Sequence, residues 1–211
     1  MTTTVTTLGL LEDAEGDPKV IPLPRRPVRR EPLGTDGIAA LGTWMLLAPI
    51  AMLFLAFVSA FIVRRGLGEG WTAVRLPALV WVNTAVLLTS SFTLELARRA
   101  SRRGGKDAGW MGRTVLLGAM FLAGQTVAWK QLLGSGVSVG LTPYGSFFYL
   151  LTACHAVHLA GGLLALVAAA LWPRDGRRKL SRHGAIQVSA IYWHFMTIVW
   201  VGILTLLMIG R

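Results

Sequence analysis

Five long apolar runs constrain this chain more than any other feature: roughly Ile38–Val63, Leu76–Leu96, Thr114–Leu133, Ser146–Leu171 and Ala185–Ile209. Each is long enough to cross about 30 Å of hydrocarbon as a helix. Hydrocarbon offers the backbone no hydrogen-bond partner, so a crossing segment has to satisfy its own peptide groups, as a helix does. The runs do not alternate apolar and polar residues, which excludes a transmembrane β-barrel. A soluble bundle needs a polar face on each helix. Charged residues make up only 15% of the 211 residues, against about 25% in ordinary soluble domains. The expected fold is therefore all-α, a polytopic membrane bundle of five transmembrane helices. It occupies residues 36–211, behind a flexible cytoplasmic segment, residues 1–35.

The basic residues set the orientation. The chain holds 21 Lys and Arg against 10 Asp and Glu, an excess that in a soluble domain would point to nucleic acid. Here they cluster by loop. The N-terminal segment, the loop after the second run and the loop after the fourth together hold 16, including Arg25, Arg98, Arg99, Arg103 and Arg177. The alternate side holds four, Arg64, Arg65, Arg75 and Arg211, and Lys130 lies within a helix end. The positive-inside rule then places the N-terminus in the cytoplasm and the C-terminus outside. No nucleic-acid role is expected. The first 35 residues are polar, with four prolines from Pro18 to Pro27, and read as a disordered lead-in and not as a signal peptide. Cys154 is the single cysteine, so no disulfide framework exists.

Polar groups inside the spans carry the functional information. The fourth run contains Cys154-His155-Ala156-Val157-His158, with the two histidines on one helix face. The fifth contains Tyr192-Trp193-His194-Phe195. His155 and His194 each lie nine residues into spans that enter from opposite sides, so both approach mid-membrane and can face a common interior. Three readings are open for these histidines: interhelical bonding or lipid anchoring, a proton relay, and ligation of a metal or haem. Glu95 stands just before Arg98 and Arg99, as an interfacial ion pair or as a group that meets a lipid amine. Arg64, Arg65 and the Arg98–Arg103 cluster suit lipid phosphates. Gly42, Gly118, Gly124, Gly161 and Gly162 are expected to let helices approach closely. Trp71, Trp81, Trp110, Trp172 and Trp200 are expected at the membrane interfaces. The Gly-x-Gly-x-x-Gly, P-loop and His-Glu-x-x-His motifs are absent.

Three stretches resemble the haem–copper oxidase (cytochrome c oxidase) subunit III family in its short, five-helix bacterial form. Asn83-Thr84-Ala85-Val86-Leu87-Leu88-Thr89-Ser90-Ser91-Phe92-Thr93 is similar to one shared helix. Phe148 to Gly162, with His155 and His158, is similar to the family's two-histidine helix. Tyr192-Trp193-His194-Phe195 followed by Trp200 is similar to the last. The likeness covers nearly the whole chain from Gly37, and its specificity lies in the last two motifs occurring in order on separate helices. The chain departs from the family at Ile50, where a glutamate is usual, with Pro49 in place of serine. It departs again at Thr197, where an aspartate is usual, with Met196 in place of valine.

The resemblance implies a subunit of an oxygen-reducing, proton-translocating complex in the bacterial cytoplasmic membrane. This chain would hold no redox centre and no catalytic or metal-binding residue; haem and copper would belong to partner subunits. It would pack on the catalytic subunit I, hold phospholipid in a helix cleft, support proton uptake and protect the enzyme during turnover. His155, His158, His194, Tyr192 and Trp193 would line or knit that cleft, with Glu95, Arg98 and Arg99 at its cytoplasmic end. The family's longer members carry two more N-terminal helices, and removing an even number keeps the start cytoplasmic. Two other functions are open: the accessory subunit of a nitric oxide reductase, and a freestanding haem-binding or carrier protein of the membrane.

Overall fold

A computed structural model describes residues 34–68, 70–72, 76–105, 107–137, 140–172 and 180–210, with two short strands at 10–11 and 19–20. The chain divides into two compact units, Met1–Pro32 and Leu33–Arg211. In the first, β1 (Leu10–Leu11) pairs antiparallel with β2 (Lys19–Val20), Leu10 opposite Val20. This two-residue ladder departs from the all-α expectation. The rest of the N-terminal segment, and the basic residues Arg25, Arg26, Arg29, Arg30, Arg75, Lys106, Arg174, Arg177, Arg178, Lys179 and Arg211, lie outside the described residues.

The second unit holds five helices: α1 (Thr35–Leu67), α2 (Leu79–Arg102), α3 (Ala108–Gly134), α4 (Pro143–Ala170) and α5 (Arg182–Ile209). Four of them, α1, α2, α4 and α5, are long and apolar enough to cross a membrane. The third is not among those four, because Arg113, Gln125 and Lys130 interrupt its apolar run. Most helices outrun the apolar segments that predict them, since capping chemistry extends their ends. The Thr142 hydroxyl accepts from the Gly145 amide ahead of α4, with Pro143 in the first turn, where its missing N–H costs nothing. Ser181 does the same for α5 through the Gly184 amide at 2.8 Å. At the other end of α1, Gly68 turns left-handed (φ 70°) and its amide closes on the Arg65 carbonyl.

Helices α2, α3, α4 and α5 form a closed ring, each packed on the next, and α5 closes it against α2. Helix α1 lies outside the ring, against α5 and, more lightly, α4. The buried residues of α3, including Thr114, Gly118, Phe121, Gln125 and Ala128, recur at three- and four-residue spacing along the face it turns inward. Much of α1 is apolar yet exposed, with Met45, Met52, Leu55 and Ile62 among its uncovered side chains. In water such a surface would mark an interaction site, and in a bilayer it is ordinary.

Three of the five expected glycines do bring helices together. A Cβ at Gly118 would meet the Trp193 ring at 2.7 Å, one at Gly162 the Tyr192 ring at 2.7 Å, and one at Gly124 the Asn83 amide. Gly42 and Gly161 do not, since nothing lies within 4 Å of a Cβ at either. Gly184, packed on Asp36, and Gly210, packed on Phe61, take that role instead.

The α5 start is clamped by two carboxylates. Asp36 on α1 accepts from the Ser181 amide at 3.0 Å and from its hydroxyl. Asp107, at the start of α3 and 2% exposed, pairs with the Arg182 Nε at 2.8 Å. The same guanidinium donates through Nη1 to the Ala170 and Trp172 carbonyls at 3.1 and 2.6 Å, covering the orphan end of α4. One arginine thus ties α3, α4 and α5. Removing one member of a buried ion pair leaves a charge without compensation, at about 3–5 kcal/mol. Asp107→Ala should therefore lower the thermal midpoint of the detergent-solubilised protein, followed by tryptophan fluorescence, far more than Glu95→Ala. Equal midpoints for the two variants would refute the clamp.

Candidate functional site

Two of the sequence motifs fold against each other. Helices α2 and α5 run antiparallel, and three polar contacts join them in register. The Trp200 Nε1 donates to the Thr84 hydroxyl at 2.9 Å, the Trp193 Nε1 to the Ser90 hydroxyl at 2.9 Å, and His194 Nδ1 meets the Ser91 hydroxyl. Trp193 and Trp200 are seven residues apart and their partners Ser90 and Thr84 six, about two helical turns on each helix. The ladder continues to α3, where the Asn83 amide donates to the Phe121 carbonyl at 3.0 Å and Thr93 meets Thr114 at 2.9 Å. Sequence reasoning left Thr84, Ser90 and Ser91 without partners; hydroxyls and indoles spaced about two turns apart on the two helices were the available signal. It also put Trp200 at a membrane interface, whereas Trp200 is 1% exposed and belongs to the core. An indole with a hydroxyl partner inside the bundle has no need of a headgroup.

The seam between α4 and α5 carries the remaining predicted residues. The Tyr192 hydroxyl donates to the His158 carbonyl at 2.9 Å, its ring lying over Gly162. His158 Nδ1 lies 2.8 Å from the Cys154 carbonyl, and because a carbonyl only accepts, Nδ1 carries the proton. Phe54 of α1 sits beside both histidines of α4, 6.4 Å from the His155 ring centroid and 5.7 Å from that of His158. A groove of about 310 Å³, lined by Thr43, Leu46, Gly161, Gly162, Ser189 and Tyr192, opens where α1, α4 and α5 meet. A larger apolar groove of about 690 Å³ runs between α1 and α5 along Phe54, Val58, Ile198, Gly202 and Leu206. His158 and Tyr192 are thus brought together, His194 bonds away toward α2, and His155 is fully buried. The His155 ring is walled by Phe121, at 6.0 Å, and Trp200, at 5.1 Å.

Glu95 forms a compact cluster with its neighbours. Its carboxylate accepts from Arg98 through Nε and Nη2, at 2.7 and 2.9 Å, and from Arg99 through Nε at 2.8 Å. The acid precedes its bases by three and four residues, the favourable order on a helix. Both carboxylate oxygens are engaged, which is the ion-pair alternative of the sequence. Among the described residues, no three His, Cys, Asp or Glu side chains gather into a set that could hold a metal ion. The two positions that depart from the motif pattern are occupied by buried, neutral side chains. Ile50 is 9% exposed, and Thr197 returns its hydroxyl to the Trp193 carbonyl of its own helix at 2.9 Å.

The site is therefore a set of neutral interhelical bonds between an Asn-Thr/Ser-Ser helix, a two-histidine helix and a Tyr-Trp-His-Phe helix. A family model described as cytochrome c oxidase subunit III matches residues 35–209, which spans nearly all of the five helices. The chain belongs to the cytochrome c oxidase subunit III family. It is similar to the probable cytochrome c oxidase subunit 3 of Nocardia farcinica, 33% identical over 178 residues, covering 81% of this chain and 87% of the relative. It is similar to the probable cytochrome c oxidase subunit 3 of Mycobacterium tuberculosis at 34% over 184 residues, covering 83% and 89%. The cytochrome c oxidase subunit 3 of Corynebacterium diphtheriae is 31% identical over 186 residues, covering 84% and 90%.

In this subunit III member the α2–α5 ladder makes a direct test possible. Ser90 is fully buried, and Ser90→Ala strands the Trp193 N–H inside the bundle. The expected cost is about 1–3 kcal/mol. The double variant Ser90→Ala, Trp193→Phe removes donor and acceptor together. Its thermal midpoint should fall by less than the sum of the two single losses, and strict additivity would show the bond to be inconsequential.

Proposed function

We propose that this chain is the non-catalytic subunit III of a terminal cytochrome c oxidase, crossing the bacterial cytoplasmic membrane five times with its N-terminus in the cytoplasm. The observation that carries this reading is the family match over nearly all of the five helices, together with the interlocked motif residues of α2, α4 and α5. The distribution of basic residues, 16 on one set of loops and four on the other, supports the orientation. The packing of α3 between α2 and α4 supports counting it as a crossing as well.

In this reading the subunit packs on the catalytic subunit I, which with its partners holds the haem and copper and reduces oxygen with proton translocation. The chain contributes an apolar surface, lipid held in its grooves, and support for proton uptake and turnover stability. The grooves beside α1 suit acyl chains in shape and polarity, since their walls are almost wholly apolar. Arg98 and Arg99 at the basic end of α2, each already bonded to Glu95, leave further N–H groups for lipid phosphate.

The decisive experiment is purification of the tagged full-length chain from its native membrane, with an inventory of co-purifying subunits, haem and copper. Oxidase subunits with copper and an oxygen-consuming activity support the reading. Nitric oxide reductase subunits, or haem bound to this chain alone, overturn it. Within the complex, His158→Ala should reduce retention of this subunit or of bound phospholipid while leaving the haem absorption spectrum unchanged. A shifted haem spectrum would contradict a purely supporting role.

A further inference from the structure

Two polar side chains in the middle of the helix ring have no hydrogen-bond partner in the protein. His155 is fully buried, and neither Nδ1 nor Nε2 is bonded. Gln125 is 1% exposed, and neither its amide nitrogen nor its amide oxygen is bonded. The packing of α3 on α4 puts them at one level. The two helices run antiparallel, with the Trp129 indole bonded to Thr152 at 3.0 Å and Leu163 against Gly118. Gln125 lies about one turn from Trp129, and His155 about one turn from Thr152, so the register sets Gln125 opposite His155. Phe121, one turn before Gln125 on the same buried face, has its ring centroid 6.0 Å from that of His155, so His155 packs on that face of α3.

Leaving these groups unpaired is costly. A buried polar group without a partner forfeits about 1–3 kcal/mol, and hydrocarbon around the bundle supplies no alternative. A direct bond between the two side chains would satisfy one atom on each and admit nothing to the other two, whereas a water site that bridges them has room for further water at the remaining atoms. The aromatic rings around His155, those of Phe54, Phe121 and Trp200, supply no conventional acceptor or donor in its direction. A water molecule both donates and accepts, so it serves either imidazole tautomer and either amide orientation.

We infer that His155 and Gln125 form an internal water-binding site at the centre of the α2–α5 ring, midway across the membrane. The site is built from one side chain on each of two neighbouring helices and needs no partner subunit. It gives His155 a role distinct from that of His158 and His194, which find their partners within the protein. The ring of aromatic side chains keeps the site from lipid.

The test is a high-resolution cryo-electron microscopy map of the purified full-length chain with whatever subunits it retains. A peak at hydrogen-bond distance, about 2.7–3.2 Å, from both a Gln125 amide atom and a His155 ring nitrogen is expected. An interior without such a peak, or with the two side chains in direct contact, overturns the inference. The variants His155→Phe and Gln125→Leu supply a second measurement. Each should lower the thermal midpoint, and the double variant should melt above the less stable single, because it strands neither polar group. Additive losses would overturn the shared site.

Discussion

The hydrogen-bond demand of polar side chains in a medium that cannot meet it governs this structure. Backbone demand is met by helix formation, which is why five apolar runs become five helices. Side-chain demand is harder, because each interior hydroxyl, amide, indole or imidazole has to find its partner on its own helix or a neighbour. Thr84, Ser90, Ser91, Asn83 and Thr93 meet that demand across α2, α3 and α5. These bonds select one register among many that apolar packing alone would tolerate. A shift of α5 by one turn would separate Trp193 from Ser90 and Trp200 from Thr84 together. Packing then follows from the register: Gly118 and Gly162 receive the Trp193 and Tyr192 rings because the ladder has already fixed α5.

The position of α1 has a different cause. It stands outside the ring and bonds to α5 through Asp36 and Ser181 near one end. Toward the other end, Phe61 packs on Gly210 and on Trp71, whose indole donates to the Gly210 carbonyl at 2.9 Å. Between these fixed points the helix spans apolar grooves. Pro49 falls in this middle stretch and removes one internal amide donor.

Much of this was legible in the sequence, because hydropathy reports on the environment of whole segments. The five runs and the Glu95–Arg98–Arg99 cluster follow from local spacing, whereas the association of His158 with Tyr192 on adjacent helices was implied by the family resemblance. What escaped is long-range. Trp200 has the composition of a belt residue, and only the α2–α5 register reveals that Thr84 awaits it. Arg182 reads as one more cytoplasmic charge, yet Asp107 and the end of α4 bury most of it. Gly42 and Gly161 look no different from Gly118 in sequence, and their open surroundings depend on which face each helix presents. The apolar run of α3 is interrupted by Gln125, which helical spacing puts on the face of Phe121 and Ala128 although its amide finds no partner there.

The distribution of acids limits how such a subunit can assist proton uptake. The described acids are Asp36, Glu95 and Asp107, all near helix ends and all bonded, to Ser181, to Arg98 and Arg99, and to Arg182. The interior positions where a carboxylate is usual in the family hold Ile50 and Thr197, and the Thr197 hydroxyl is committed to its own helix. The polar groups buried in the ring include Asn83, Thr84, Gln125, His155 and the indoles of Trp193 and Trp200. A chain built this way offers no carboxylate relay through α1 or α5 among its described residues. The support for proton uptake proposed above would therefore not run through a carboxylate of these helices. What the described residues do fix is the register of α5 on α2, through the ladder, and the seating of the α5 start, through the end clamps.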